Sequence, residues 1–149
     1  MVPVQSFLDA TAVAAIEAIP PWDATNYVIA LFKNPLTPAP ELTFADLVLA
    51  DFTGYNQLSL SDNIPNFGID PLSGDYVGTL LPPAGGFRFE VDNTAGNLPQ
   101  TIYGWALLDT AGTLLLGTEL IDPPVTLTAA FQVIDLGNLT LRIAPLFVG

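Results

Sequence analysis

Apolar and polar residues alternate one for one through much of the second half of this chain, and that period confines it to β-structure. Phe87, Phe89 and Val91 alternate with Arg88, Glu90 and Asp92. Val125, Leu127, Ala129, Phe131 and Val133 alternate with Thr126, Thr128, Ala130 and Gln132, and Leu139, Leu141 and Ile143 with Thr140 and Arg142. Successive side chains of a strand point to opposite faces, so each pattern puts one set on a core and the other in water. Residues 100–108 and 113–120 flank Asp109-Thr110-Ala111-Gly112, a hairpin pattern with Gly at the left-handed position. Strands so spaced, joined by Gly, Pro and Asn, predict a mainly β fold: an antiparallel β-sandwich or flattened barrel of about six to eight strands.

The first half reads differently. Residues 5–19 predict an N-terminal α-helix, with Ser6 as cap, Asp9 three positions on, and Pro20-Pro21 as its stop. Phe7, Leu8, Val13, Ile16 and Ile19 give it an apolar set broadened by Ala10, Ala12, Ala14 and Ala15. Residues 26–33 predict a strand, and Pro35, Pro38 and Pro40 stiffen the loop that follows. Thr43, with Asp46 three positions on, predicts a helix of one or two turns, and residues 55–60 a short strand. Residues 61–83, dense in turn formers, predict a long structured loop with a strand near 76–81. The chain divides into an N-terminal helical arm, 1–21, and a single β-sandwich domain, 22–149.

Chemistry is constrained by what is missing. The sequence contains no His, no Cys and three cations, Lys33, Arg88 and Arg142, against fifteen carboxylates. The usual neutral-pH general base and the readiest nucleophile are therefore gone, with the common transition-metal ligands. No phosphate-binding Gly-rich loop and no Ser-x-x-Lys pattern occurs. A net charge of −12 opposes nucleic acid and anionic membranes. The expectation is a protein without catalytic residues, cofactor or metal. Two binding chemistries stay open. Asp62, Asn63, Asn66, Asp70 and Asp75, with Gly68 and Gly74, could offer hard oxygens to calcium, although they miss the EF-hand spacing and equally suit turns. Trp22, Tyr103 and Trp105 could stack on sugars, but Tyr103 and Trp105 share one strand face, where packing is the commoner role.

The chain is also unusually apolar: 50% hydrophobic, 12% charged, with a mean hydropathy of +0.49. No apolar run reaches the roughly 18–20 residues that span hydrocarbon, and no basic segment precedes one as in a secretory signal. Burial against other protein accounts better for the excess.

Two groups of phrases carry a resemblance. One is Leu31-Phe32-Lys33-Asn34, then Thr37-Pro38, then Ala50-Asp51-Phe52-Thr53-Gly54-Tyr55. The other is Thr101-Ile102-Tyr103-Gly104-Trp105, then Asp109, Gly112-Thr113-Leu114-Leu115 and Glu119. In this order, over roughly residues 26 to 135, the chain resembles small virion structural proteins of tailed bacteriophages; it departs from that pattern at 61–83 and 87–91. The resemblance implies a capsid decoration (cement) protein on the virion surface, bound to the major capsid protein as a homotrimer. A tail-fibre or receptor-binding adhesion module is the alternative. On the decoration reading, the contact surfaces are the N-terminal helix (Phe7, Val13, Ile16) and the Pro-rich loop (Pro35, Leu36, Pro38).

Overall fold

The computed structural model describes residues 2–3, 27–60, 68–69, 71–72, 76–80, 82–109 and 115–143. The predicted N-terminal helix, with Phe7, Val13 and Ile16, lies outside the described residues. So do Trp22 and the five candidate calcium ligands, Asp62, Asn63, Asn66, Asp70 and Asp75.

The described residues are mainly β, and every strand pairing is antiparallel. The strands are β1 (Val2–Pro3), β2 (Val28–Phe32), β3 (Leu58–Ser59), β4 (Gly68–Ile69) and β5 (Tyr76–Thr79). They continue with β6 (Arg88–Glu90), β7 (Gln100–Leu108), β8 (Leu115–Leu127), β9 (Val133–Asp135) and β10 (Thr140–Ile143). A five-stranded sheet runs β1-β8-β7-β2-β3, a three-stranded sheet β10-β5-β4, and β6 pairs with β9. Among the described residues the one helical element is a 3-10 turn, Phe44–Asp46. There the Asp46 carboxylate accepts the Thr43 backbone N–H at 2.8 Å, so the predicted start holds but the turn does not propagate.

The sheet centre is β2 and β7. Val-Ile-Ala-Leu-Phe in β2 is buried at all five positions, a continuous apolar run of the kind that belongs to a strand covered on both faces. Ile29, Leu31, Phe32, Ile102, Leu107, Leu108, Leu115 and Leu127 from the large sheet join Phe87, Phe89 and Ile134 around the β6–β9 ribbon, and Leu80 and Leu139 beside the third sheet, in one core. The alternation at 87–91 behaves as expected: Phe87, Phe89 and Val91 are buried, and Arg88 and Glu90 face solvent.

The alternation at 125–133 does not form one strand. β8 ends at Leu127, residues 129–131 turn, and β9 starts at Val133. The cause is Gln132, whose side-chain carbonyl accepts the N–H groups of Thr128 at 2.5 Å and Ala129 at 2.9 Å and closes the chain on itself. Phe131 N–H donates to the Val91 carbonyl at 2.9 Å, and Val91 N–H to the Gln132 carbonyl at 3.0 Å, which fixes the loop against the end of β6.

Candidate functional site

Most residues of the two phrase groups are committed to holding the chain together. Lys33 Nζ lies 2.5 Å from Asp51 Oδ1, which also accepts Gln100 Nε2 at 2.6 Å. Gln100, nearly buried, donates as well to the Asn97 carbonyl at 2.8 Å and accepts the Asp51 N–H at 3.2 Å. The Lys33 ammonium, reinforced by Gln100, holds the Asp51 carboxyl below its ordinary value of 3.8. Asn34 imitates a strand, donating to the Asp46 carbonyl at 2.9 Å and accepting the Val48 N–H at 2.8 Å. Thr53 Oγ1 accepts the Gly96 N–H at 2.7 Å, and the Thr53 carbonyl accepts the Asp92 N–H at 3.0 Å.

Tyr55 completes β2. Leu31 donates its N–H to the Tyr55 hydroxyl at 3.0 Å and accepts Ala50 N–H at 2.9 Å, so both of its backbone groups are met on the side away from β7. The Tyr55 ring stacks on Phe89 at 5.8 Å and meets Phe52 edge-on at 5.3 Å; this burial pushes its hydroxyl up to about 12. Two glycines are there because nothing larger fits. A Cβ on Gly104 would sit 2.2 Å from the Glu119 carbonyl oxygen and 2.4 Å from the Phe32 ring. Gly54, at φ +89°, has its Cβ position 2.8 Å from the Asp92 nitrogen.

Beside them lies an apolar groove. Ile102 pairs with Val125 and Gly104 with Leu120, so between those pairs Tyr103 alone faces four residues of β8: Ile121, Asp122, Pro123 and Pro124. Proline has no N–H to give a ladder, and two in succession force β8 to bulge outward here. The bulge meets the Pro-rich loop after β2. Pro35 and Leu36 from the loop, Tyr103 from β7, and Leu120, Ile121 and Pro124 from β8 line an open groove of about 460 Å³, with the exposed Asp122 beside them. A second depression of about 380 Å³, with Trp105, Glu119, Leu136 and Leu139 among its walls, shares Leu120 and Ile121 with the first. Leu120, 44% exposed, is the ridge between them.

The groove brings together two of the expected contact residues, Pro35 and Leu36; Pro38, half-buried, is not in its lining. Tyr103, Leu120, Ile121 and Pro124 were not expected there. Their signal in the sequence is Pro123-Pro124 set between two apolar strand runs, which reads equally well as the turn between two strands. Trp105 is 3% exposed, which takes it out of sugar stacking and into packing. No cluster of three or more metal-ligating side chains occurs among the described residues. Lys33 and Arg88 are each paired with a carboxylate, Arg88 with Glu90 at 3.0 Å.

One further residue is conspicuously displayed. Phe131 is 65% exposed and sits at φ +63°, in the left-handed region that a bulky side chain rarely enters. Such a conformation costs of order 1–2 kcal/mol, and here it turns a benzyl group into solvent. Val133, 36% exposed, lies beside it.

Comparison with known proteins adds no relative: no family model, no curated protein and no solved structure matches this chain.

Proposed function

We propose that this chain is a non-enzymatic virion structural protein of a tailed phage: a capsid decoration protein that binds the major capsid protein on the head exterior and stabilises the shell. The observation that carries this reading is the division of labour on its surface. Many charged and hydrogen-bonding side chains of the described residues are spent on holding loops to strands, and amid a polar surface stand an apolar groove and a few exposed apolar side chains. That display serves contact with protein, which is dominated by desolvated apolar anchors with carboxylates at the rim. The phrase-level resemblance supplies the virion context.

In this reading the sheets close as a flattened sandwich, the helix expected at residues 5–19 forms an arm that follows β1, and the arm and the outer side of loop 34–40 (Pro35, Leu36, Pro38) face the capsid. Three copies on the shell would hide part of the excess apolar surface. Stabilisation follows from mass action: a ligand that binds only assembled shell shifts the equilibrium toward it.

The test is to heat heads assembled with and without the protein. Heads lacking it are expected to open at lower temperature and to regain the difference when purified protein is added back. Heads that open at the same temperature either way contradict the cementing role. Binding of purified protein to host cells but not to heads, with a handful of copies per virion, would move it to the tail as an adhesion module.

A further inference from the structure

We propose that β1 is a detachable guard on the rim of the main sheet, and that the β8 edge beneath it is a strand-accepting site for the same segment of a second copy of this chain. The contact is separate from any made with the shell, and it stands or falls without the virion reading.

The site is defined by its resident. Val2 pairs with Thr118 and Pro3 with Gly117, so this edge takes an extended, uncharged stretch of chain that carries a proline. Every copy brings that stretch with it. Residues 4–26 separate β1 from Tyr27, enough chain to reach roughly 75 Å at about 3.3 Å per residue. Such a length delivers β1 to a neighbour's sheet as well as to its own, which is the condition for exchanging an identical element between copies.

The edge needs a guard at this place. β8 lies between β7 and β1. Beyond Thr118 it carries Glu119, Asp122 and Pro123-Pro124, whose charges and missing N–H groups keep other strands from pairing there. Leu115-Leu116-Gly117-Thr118 has neither device, and all four residues are buried. β1 covers the last two of them. Without it, an apolar stretch with open backbone groups is left at the rim of the sheet.

The guard is also lightly held. Pro3 has no N–H, so of the two pairs only Val2 with Thr118 can exchange both hydrogen bonds. Thr118 Oγ1, on the residue that β1 covers, is buried without a hydrogen-bond partner. Water that reaches this hydroxyl when β1 lifts offsets part of the lost pairing.

Two measurements test the proposal. The first is hydrogen exchange on the wild-type chain. The Thr118 amide is expected to exchange by local opening, at least about tenfold faster than the Leu107 amide at the sheet centre and with little dependence on urea. A Thr118 amide that exchanges only on global unfolding overturns the detachment. The second is binding of a fluorescent peptide of residues 1–8 to the full chain, wild type and Val2→Pro. The substitution leaves Val2–Pro3 without an N–H and touches only a two-residue edge strand. The peptide is expected to bind Val2→Pro at least about tenfold more tightly than wild type, because the wild-type site is already filled by its own β1. Equal binding to both, or binding to neither, overturns the site. Peptide binding as expected, with heads that open at the same temperature with and without the protein, removes the virion reading and leaves this site standing.

Discussion

The two sides of β7 are built on opposite principles. On the β2 side, side chains substitute for backbone: Tyr55 hydroxyl, Asn34 amide, Gln100 amide and Thr53 hydroxyl each satisfy main-chain groups that no neighbouring strand reaches. On the β8 side, backbone regularity is given up: a Pro-Pro bulge opens a groove, and beyond Leu127 a strained Phe131 is turned outward. The first side holds the first phrase group, and nearly every residue in it has a mechanical task. The second phrase group runs along β7 into β8, and its Tyr103 lines the groove, whose other apolar walls, Pro35, Leu36, Leu120, Ile121 and Pro124, lie outside both groups. The phrases therefore mark mostly scaffold, and the groove is walled largely by residues they leave free.

That comparison can be broken from the scaffold side first, where the largest effects are expected. Gly104→Ala forces a methyl group against the Glu119 carbonyl and the Phe32 ring, neither of which has room to move, and should cost about 3 kcal/mol or more in urea unfolding. A variant as stable as wild type would mean that β7 and β8 are not this close. Tyr55→Phe leaves the Leu31 N–H without its acceptor and should cost about 1–3 kcal/mol.

The same hydroxyl sets the alkaline limit. Its pKa in the folded protein, about 12, lies above the ordinary 10.0, so its contribution is whole below pH 10 and is lost as pH rises toward 12. Tyr55→Phe should be less stable than wild type at pH 8 and should flatten that alkaline loss. A loss of equal steepness in both proteins would assign it to another group.

Smaller effects come from the opposite side and from the surface. Phe131→Asn should raise the stability of the monomer by about 1 kcal/mol, because strain is relieved and a mostly exposed ring gives up little burial. A loss of stability would make Phe131 a packing residue. Asp51 is held below 3.8, so its pairing with Lys33 stabilises the fold above that pH and the gain disappears as pH falls through the depressed value. With the Asp51 side chain 60% exposed, the ion pair is worth only ~0.5 kcal/mol, and Asp51→Asn should shift the acid midpoint slightly upward. An unchanged acid midpoint would mean the pair contributes nothing.

Much of the scaffold was legible in the sequence because burial and alternation coincide there. Residues 87–91 fall with their apolar set inward, and β7 occupies 100–108 as its flanking turns require. The groove was legible only in part. Pro35 and Leu36 stood out as a stiff apolar loop, but their partners on β8 did not, since Pro-Pro between apolar runs describes a turn and a bulge equally well. Residues 125–133 keep perfect alternation across a break because period counts side chains and is blind to the backbone; a left-handed Phe131 and a Gln132 that caps its own loop leave the period intact.

The most direct test of the separation between scaffold and display is urea unfolding of Tyr55→Phe and Phe131→Asn beside wild type at pH 8. The account predicts opposite outcomes: Tyr55→Phe is less stable than wild type, and Phe131→Asn is at least as stable. Two variants that lose stability alike would contradict it.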